Sequence, residues 1–173
     1  LLRPGWREDA PALFQAIADE GIVRNLAQAP WPYSLADAES FLTRDRAHAE
    51  PSCLVFLRTE GAPRLVGGTG FGRTPDGDVE LGYWIARPFW SRGFATEACA
   101  ALVDIARALG LSQLEGSHFV RNPASARVLE KLGFTATGLT APRMSCARGR
   151  EVPSRLMRLK LAAVEEEAEA LAA

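Results

Sequence analysis

Trp90-Ser91-Arg92-Gly93-Phe94-Ala95-Thr96-Glu97 joins a strand-like run to an Ala-rich helix, and its reading decides the fold. Upstream, Val79–Ala86 is rich in β-branched and aromatic residues, which fits a strand. Downstream, Phe94–Leu109 places Leu102, Ile105 and Leu109 on one helical face, and Gly110 stops it. A loop that opens a helix presents backbone N–H groups with no partner inside the helix, and the dipole adds about half a positive charge. Such an end receives a pyrophosphate readily. Gly93 removes the Cβ that would block close approach, and Ala95 is the next smallest choice. Arg92 brings charge and Thr96 a hydroxyl. The same residues also suit a plain strand-to-helix turn, so alone they leave phosphate binding open.

Outward from this stretch the period of the chain changes twice. Before it, Cys53–Arg58 and Arg64–Phe71 read as strands parted by Gly61-Ala62-Pro63, and Thr74-Pro75-Asp76-Gly77 is a strong turn before Val79. Three strands with short turns predict an antiparallel meander. Nearer the start, Leu1–Arg3 reads as the end of a strand. Asp9 caps a helix running to about Asp19, with Leu13, Phe14 and Ile17 on one side. Residues 21–33 read as irregular. Ser34 with Asp37 is a capping-box-like start for a helix to about His48. After the central helix come a strand over Leu111–Ser117, a helix with Asn122 at its N-cap and Pro123 at N1, and strands at Phe134–Gly138 and Arg155–Leu161. The expected class is α+β: a mixed, mostly antiparallel sheet with helices on both faces.

The chain has 173 residues, against a usual domain of about 150, which predicts one domain over 1–163 and an acidic tail over 164–173. Lys plus Arg is 20 and Asp plus Glu is 21, so no basic excess exists to neutralise a phosphate backbone, and no nucleic acid is expected. No apolar run approaches the ~18 residues of a membrane span, and the first residues do not read as a signal peptide. Cys53, Cys99 and Cys146 are widely spaced and form no C-x-x-C pair, and His48 and His118 are the only imidazoles. Neither a disulfide framework nor a metal site is expected, and a reducing cytoplasm is the expected home.

Gly67-Gly68-Thr69-Gly70-Phe71-Gly72 imitates a dinucleotide fingerprint but fails it. Arg73 holds the third glycine position, and a turn and a strand follow instead of a helix. It reads as a strand with small residues where backbone or ligand approaches closely.

Four segments in this order resemble the GNAT superfamily of N-acetyltransferases, and most of all its RimJ/RimL branch, which acetylates protein N-termini. They are Glu80-Leu81-Gly82-Tyr83-Trp84-Ile85, Trp90 to Ala98, Asn122-x-x-Ser125, and Glu130-Lys131-Leu132-Gly133-Phe134. Leu1-Leu2-Arg3-Pro4 and Glu8-Asp9-Ala10 resemble that branch's opening. Gly93 and Ala95 match the general pattern [Gln/Arg]-x-x-Gly-x-[Gly/Ala], while Trp90 departs from its first position. The resemblance implies acetyl-CoA as co-substrate, its pyrophosphate on the amides of Arg92, Gly93, Phe94, Ala95 and Thr96. It implies that the pantetheine arm pairs with backbone at Trp84, Ile85 and Ala86. Asn122 falls where the family contacts this arm, and it serves equally as an N-cap. The implied acceptor is a primary amine, a protein N-terminal α-amine in this branch or else a small molecule. A homodimer is a further implication.

Acetyl transfer needs a neutral amine, a stabilised oxyanion and a departing thiolate. Glu80 stands where some GNAT enzymes carry a catalytic glutamate and is the candidate base, acting through a water. Its other reading is a polar residue on an outward strand face. Glu151 is a second candidate for base or substrate contact. Many GNAT enzymes place an acidic Tyr seven residues after the Asn122 position, which here is Leu129. Ser125 matches the RimJ/RimL pattern and is the candidate partner of the thiolate. Trp31 and Tyr33 precede the helix that walls the acceptor site in such folds and are candidate acceptor contacts. Arg143, Arg148, Arg150 and Arg155 form a local basic cluster, and His118 is read as structural. With no acidic Tyr, a non-catalytic acyl-CoA-binding module is the alternative.

Overall fold

The structure, a computed structural model, describes residues 1–44, 50–74 and 76–161. Its seven strands are β1 (Leu2–Pro4), β2 (Ser52–Leu57), β3 (Arg64–Arg73), β4 (Val79–Ile85), β5 (Gln113–Phe119), β6 (Thr135–Ser145) and β7 (Arg150–Lys160). They form one sheet in the order β1-β2-β3-β4-β5-β7-β6. Every pairing is antiparallel except β4 with β5, which is parallel and registers at a single pair, Glu80 with Glu115. Among the described residues the α-helices are α1 (Ala10–Ile17), α2 (Glu20–Val23), α3 (Leu35–Thr43), α4 (Phe94–Ala108) and α5 (Pro123–Lys131). The mixed, mostly antiparallel sheet with helices on both faces is as the sequence predicts.

Strand alternation sends buried side chains to both faces of the sheet. Leu54, Phe56 and Leu65 face α1 and α3 and bury with Leu13, Ile17 and Ala38. On the opposite face Phe71, Val79, Leu81 and Leu114 bury with Leu102 of α4 and with Leu129 and Phe134 at α5. Burying one such Leu or Phe contributes about 1.5–3 kcal/mol. Gly116 sets the height of α5, because a Cβ there would lie 2.9 Å from Leu129 Cδ2.

Several local signals hold. Ser34 and Asp37 form the reciprocal capping box, with Asp37 N–H donating to Ser34 Oγ at 3.2 Å and Ser34 N–H to Asp37 Oδ2 at 2.8 Å. Gly67, Gly68 and Gly70 stand where a Cβ would meet the Trp84 carbonyl at 2.4 Å, the Trp84 indole at 2.7 Å and the Pro51 carbonyl at 2.7 Å. Close approach is the reason for these three glycines, as expected, whereas a Cβ on Gly72 would meet nothing within 4 Å.

Three expectations change. Asp9 stands at the N-cap of α1 without capping it by side chain; its carboxylate takes two bonds from Arg3 and one from the Trp6 N–H. The irregular stretch contains α2, which Asp19 caps through Gly21 N–H. The two short final strands are one long hairpin, β6 and β7, joined through a 3-10 turn at Cys146–Arg148. Gly138, at φ +81°, lies inside a register shift between Ala136 and Thr140, and Pro142 pairs opposite Pro153. Those breakers masked the strand pattern. The Ser34 helix ends at Thr43, with Arg44 extended, short of the expected His48; residues 45–48 and the acidic tail fall outside the described residues.

Candidate active site

Two cavities open on either side of the place where β4 and β5 part. The first, about 370 Å³, is lined by Tyr83, Trp84, Ile85, the loop from Trp90, the first turn of α4, and α5 from Asn122 to Lys131. The second, about 500 Å³, lies over Gly70, Gly72 and Gly82 and is bounded by Tyr33, Glu80, Ser117, His118, Arg143 and Ser154. Asn25, Leu26, Tyr83, Trp84 and Ser125 line both, so the two meet at the tip of the gap.

The first cavity fits a pyrophosphate-bearing arm. Gly93 is the N-cap of α4 in the left-handed region, φ +84°, with no side chain capping the helix. The amides of Phe94, Ala95 and Thr96 therefore stay available toward a ligand. Ser91 also has positive φ, 60°, and such alternation makes a backbone concavity for anions. A Cβ on Gly93 would meet nothing within 4 Å. Within the protein itself, its requirement for glycine is therefore conformational. Trp90, the departure from the family pattern, donates its indole N–H to the Ile85 carbonyl at 2.6 Å and pins the loop to β4. Arg92 is not among the lining residues; its guanidinium lies over the Phe89 ring at 5.8 Å. Asn122 caps α5 with Oδ1 on the Ser125 N–H at 3.2 Å, which leaves Nδ2 as the donor it can offer a ligand.

Backbone alternation decides what β4 offers the gap. The Ala86 N–H bonds to the Val66 carbonyl at 2.8 Å, and the β3–β4 register is unbroken. Ala86, Trp84 and Gly82 therefore turn their backbone groups to β3, while Ile85 and Tyr83 turn theirs toward the gap. Of the three residues expected to meet the arm, Ile85 alone presents backbone there, by its N–H, since Trp90 holds its carbonyl.

In the second cavity Glu80 is gripped from two sides. Arg143 forks both carboxylate oxygens, with Nη2 at 2.5 Å from Oε2 and Nη1 bonded to Oε1, and Ser117 Oγ donates to Oε1 at 2.7 Å. The bond to Glu80 holds the Arg143 guanidinium above its ordinary value, against desolvation. Tyr33 is buried, and burial pushes its phenol up to about 12. Glu50 pairs with Arg73 and Asp37 with Ser34, so every described carboxylate lining this cavity already has a partner. His118 Nδ1 lies 3.0 Å from the Phe119 carbonyl, which can only accept; in the neutral ring the hydrogen is on Nδ1 and Nε2 keeps its lone pair.

Trp31 and Glu151 are exposed and line neither cavity. The Arg cluster disperses: Arg143 enters the site, while Arg148 donates to the Arg24 carbonyl. Leu129 is buried in the core rather than facing the gap. On the opposite face of β4 from Glu80, Tyr83 reaches α5. Its hydroxyl lies 2.6 Å from Ser125 Oγ and donates to the Ser125 carbonyl at 3.0 Å. Sequence reading placed Arg143 only in a basic cluster, without its pairing to Glu80, and missed Tyr83 and Ser117 as site residues. A polar-tipped Tyr between core-facing Leu81 and Ile85 is the signal for one of them, since a buried phenol needs a partner.

A sheet splayed at one parallel pair, an anion cradle at a helix start and a second cavity meeting the first define an acyl-CoA-dependent acyltransferase. The family described as "Acetyltransferase (GNAT) domain" matches residues 1–135, and the chain belongs to it. It is 26% identical over 147 residues to the uncharacterized N-acetyltransferase YoaA of Bacillus subtilis, covering 80% of this chain and 81% of that one. Among solved structures it resembles the Salmonella typhimurium acetyltransferase that modifies the N-terminal serine of ribosomal protein L7/L12. The TM-score is 0.74 at 19% identity, covering 93% and 94% of the chains. It also resembles the microcin C7 self-immunity acetyltransferase MccE, solved with acetyl-CoA and AMP, at TM-score 0.75 and 17% identity over 92% and 91%. The protein is an acetyl-CoA-dependent N-acetyltransferase. Among the described residues no cluster of His, Cys, Asp and Glu suits a metal ion, and no helix is long and apolar enough to cross a membrane.

Proposed function

We propose that the acceptor is an α-amine at a protein or peptide N-terminus. The observation that carries this is the partnered state of every described carboxylate in the acceptor cavity, Glu80 above all. An alkylamine with a pKa near ~10.4 is about one part in 2,500 neutral at pH 7, whereas an α-amine near ~8 is about one-tenth neutral. A site whose carboxylates are already hydrogen-bonded offers only limited general-base help, relayed through a water, and so suits the amine that needs less of it. The Salmonella typhimurium neighbour that modifies an N-terminal serine supports the same reading.

In this assignment Gly93, Phe94, Ala95 and Thr96 hold the pyrophosphate, with Arg92 steering from outside the cradle. Ile85 N–H and Asn122 Nδ2 hold the arm. Glu80 takes the amine's proton through a water, oriented by Arg143 and Ser117. Ser125 faces the sulfur. Tyr33 lines the acceptor. Acetyl-CoA supplies the activated acetyl group, and the protein's residues orient it. The test is a screen of short peptides with free N-termini against the same peptides N-blocked with an internal Lys, and against small amines. Acetylation at the α-amine is the expected result. Turnover of Lys or of a small amine alone would overturn the assignment.

A further inference from the structure

Tyr83 and Ser125 share one contact between them that decides which way the serine hydroxyl can point. A phenol has one hydrogen, and a carbonyl only accepts. When Tyr83 gives its hydrogen to the Ser125 carbonyl, the 2.6 Å contact between the hydroxyls needs the Ser125 hydrogen, and Ser125 then has none to give elsewhere. When Tyr83 turns its hydrogen to Ser125 Oγ, the serine hydrogen is free to leave the pair. Both states keep the two oxygens where they are.

We propose that Tyr83 is a positioning residue for the transfer step, which frees the Ser125 hydroxyl to donate to the departing sulfur. A hydrogen bond to the sulfur, and no proton, then stands where Leu129 supplies no acid. The inference rests on the proposed placement of the sulfur beside Ser125. As the C–N bond forms, the C–S electron pair goes to sulfur. The Ser125 O–H turns to it, and the Tyr83 O–H turns from the Ser125 carbonyl to Ser125 Oγ. No proton leaves either oxygen. The amine's proton leaves through Glu80 and water, and the thiolate takes a proton from solvent on release.

The fold builds this pair deliberately. Strand alternation sends Tyr83 to the α5 side of β4, between Leu81 and Ile85, which are buried. Gly116 lets Leu129 sit close against β5 and so lowers α5 toward the sheet. The Asn122 cap fixes the first turn of α5 that carries Ser125. Burial raises the Tyr83 phenol above its ordinary value, which keeps it a neutral donor. Tyr83 and Ser125 both line the junction of the two cavities.

The test reads the thiol of bound CoA, and no acceptor is required. Its titration is followed by ultraviolet absorbance of the thiolate, with protein plus desulfo-CoA as the blank. The wild-type chain is compared with Tyr83→Phe, Ser125→Ala and the double variant. In the wild type the bound thiol titrates about one unit lower than in Ser125→Ala, a tenfold change in thiolate ratio. Tyr83→Phe leaves Ser125 its hydrogen but removes the donor that turns and polarises it, so its bound thiol titrates between the wild type and Ser125→Ala; the double variant equals Ser125→Ala, and the Kd for CoA stays within about twofold. A wild-type value retained by Tyr83→Phe overturns the proposal. So does a further rise when Tyr83→Phe is added to Ser125→Ala, or loss of CoA affinity in step with the shift, because either marks a merely structural role. Should Tyr83→Phe fail to fold, 3-fluorotyrosine is incorporated at the chain's two tyrosines, Tyr33 and Tyr83. The more acidic phenol then lowers the bound thiol's pKa further, and an unchanged value refutes the pairing. No CoA binding at all removes the cofactor assignment with it. A shifted thiol with no α-amine turnover removes only the acceptor assignment.

Discussion

Replacing Glu80 by Gln keeps the shape of the side chain and removes its charge. Glu80 is 12% exposed and Arg143 is 32% exposed. The amide oxygen can keep one bond from Arg143 or Ser117, but the amide nitrogen then presents hydrogens to a guanidinium that has nothing to accept them. One charge-assisted bond is lost, which costs about 1.5–3 kcal/mol, and the partial exposure of Arg143 favours the lower end. For a domain of this size about 1 kcal/mol moves Tm by about 2–4 °C, so a fall of about 3–8 °C is expected. The catalytic effect has a different signature. A positioned base contributes about 10²–10⁴-fold, and its value grows with the acceptor's pKa. Single-turnover acetylation is measured from pH 6 to 9 with a free N-terminal peptide and with an alkylamine of similar reach. Glu80→Gln slows the alkylamine more than the α-amine. Equal slowing of both, with the expected drop in Tm, would show that Glu80 holds Arg143 and takes no proton, which refutes the base assignment.

Gly93→Val forces a branched residue into φ +84° at the helix start, which costs roughly 1–3 kcal/mol of strain or distorts the loop. Calorimetry should show acetyl-CoA affinity falling at least tenfold, and unchanged affinity removes this loop from the cofactor site. Bonds from Arg3 hold the Asp9 carboxyl below its ordinary value, so its stabilisation is full above the unfolded pKa near ~4 and is lost as pH falls through the folded value. Asp9→Asn should therefore lower Tm at pH 7, with the gap to wild type closing in melts below about pH 4; a constant gap contradicts the linkage. Burial pushes the Cys99 thiol up to about 12, whereas Cys146 is exposed. Timed alkylation of the folded protein at pH 8, read by mass spectrometry, should label Cys146 first and Cys99 last, and early labelling of Cys99 contradicts its burial. Gly116→Val drives a Cβ to 2.9 Å from Leu129 Cδ2. It should destabilise by about 1–3 kcal/mol in denaturant titrations, and a neutral result would mean that α5 is free to shift.

What the sequence displays is what neighbouring residues decide. The Ser34–Asp37 box, the glycine at the start of α4 and the Asn122 cap each depend on a few adjacent positions, and each is visible as a pattern. The β6–β7 hairpin was obscured because Gly138, Pro142 and Pro153 each carry a breaker's signature, while their partners make a paired ladder of it. The site's central contacts are of another kind. Arg143 and Glu80 are 63 residues apart, and Tyr83 and Ser125 are 42 apart. Their meeting depends on strand order and on which face each side chain takes, and no local period reports either.

The gap itself follows from the divergence of two neighbouring strands. β5 meets β4 only at Glu80–Glu115 and draws away from it, while its other edge stays paired with β7 along its whole length, in seven registered pairs from Gln113–Lys160 to Phe119–Ser154. The backbone of Tyr83 and the N–H of Ile85 are thereby left facing open space in the middle of a sheet, where unpaired groups are otherwise costly. In the proposed placement, an extended ligand arm that pairs with them recovers that cost, and cofactor binding completes the sheet. The same divergence separates the two faces of β4: Glu80 and Arg143 stand on one side and Tyr83 with Ser125 on the other. A proton taken from the amine and a hydrogen bond given to the sulfur can then act from opposite sides of the transferred group. A mutation that closed the gap by extending the β4–β5 ladder would leave every one of these side chains in place and still abolish binding.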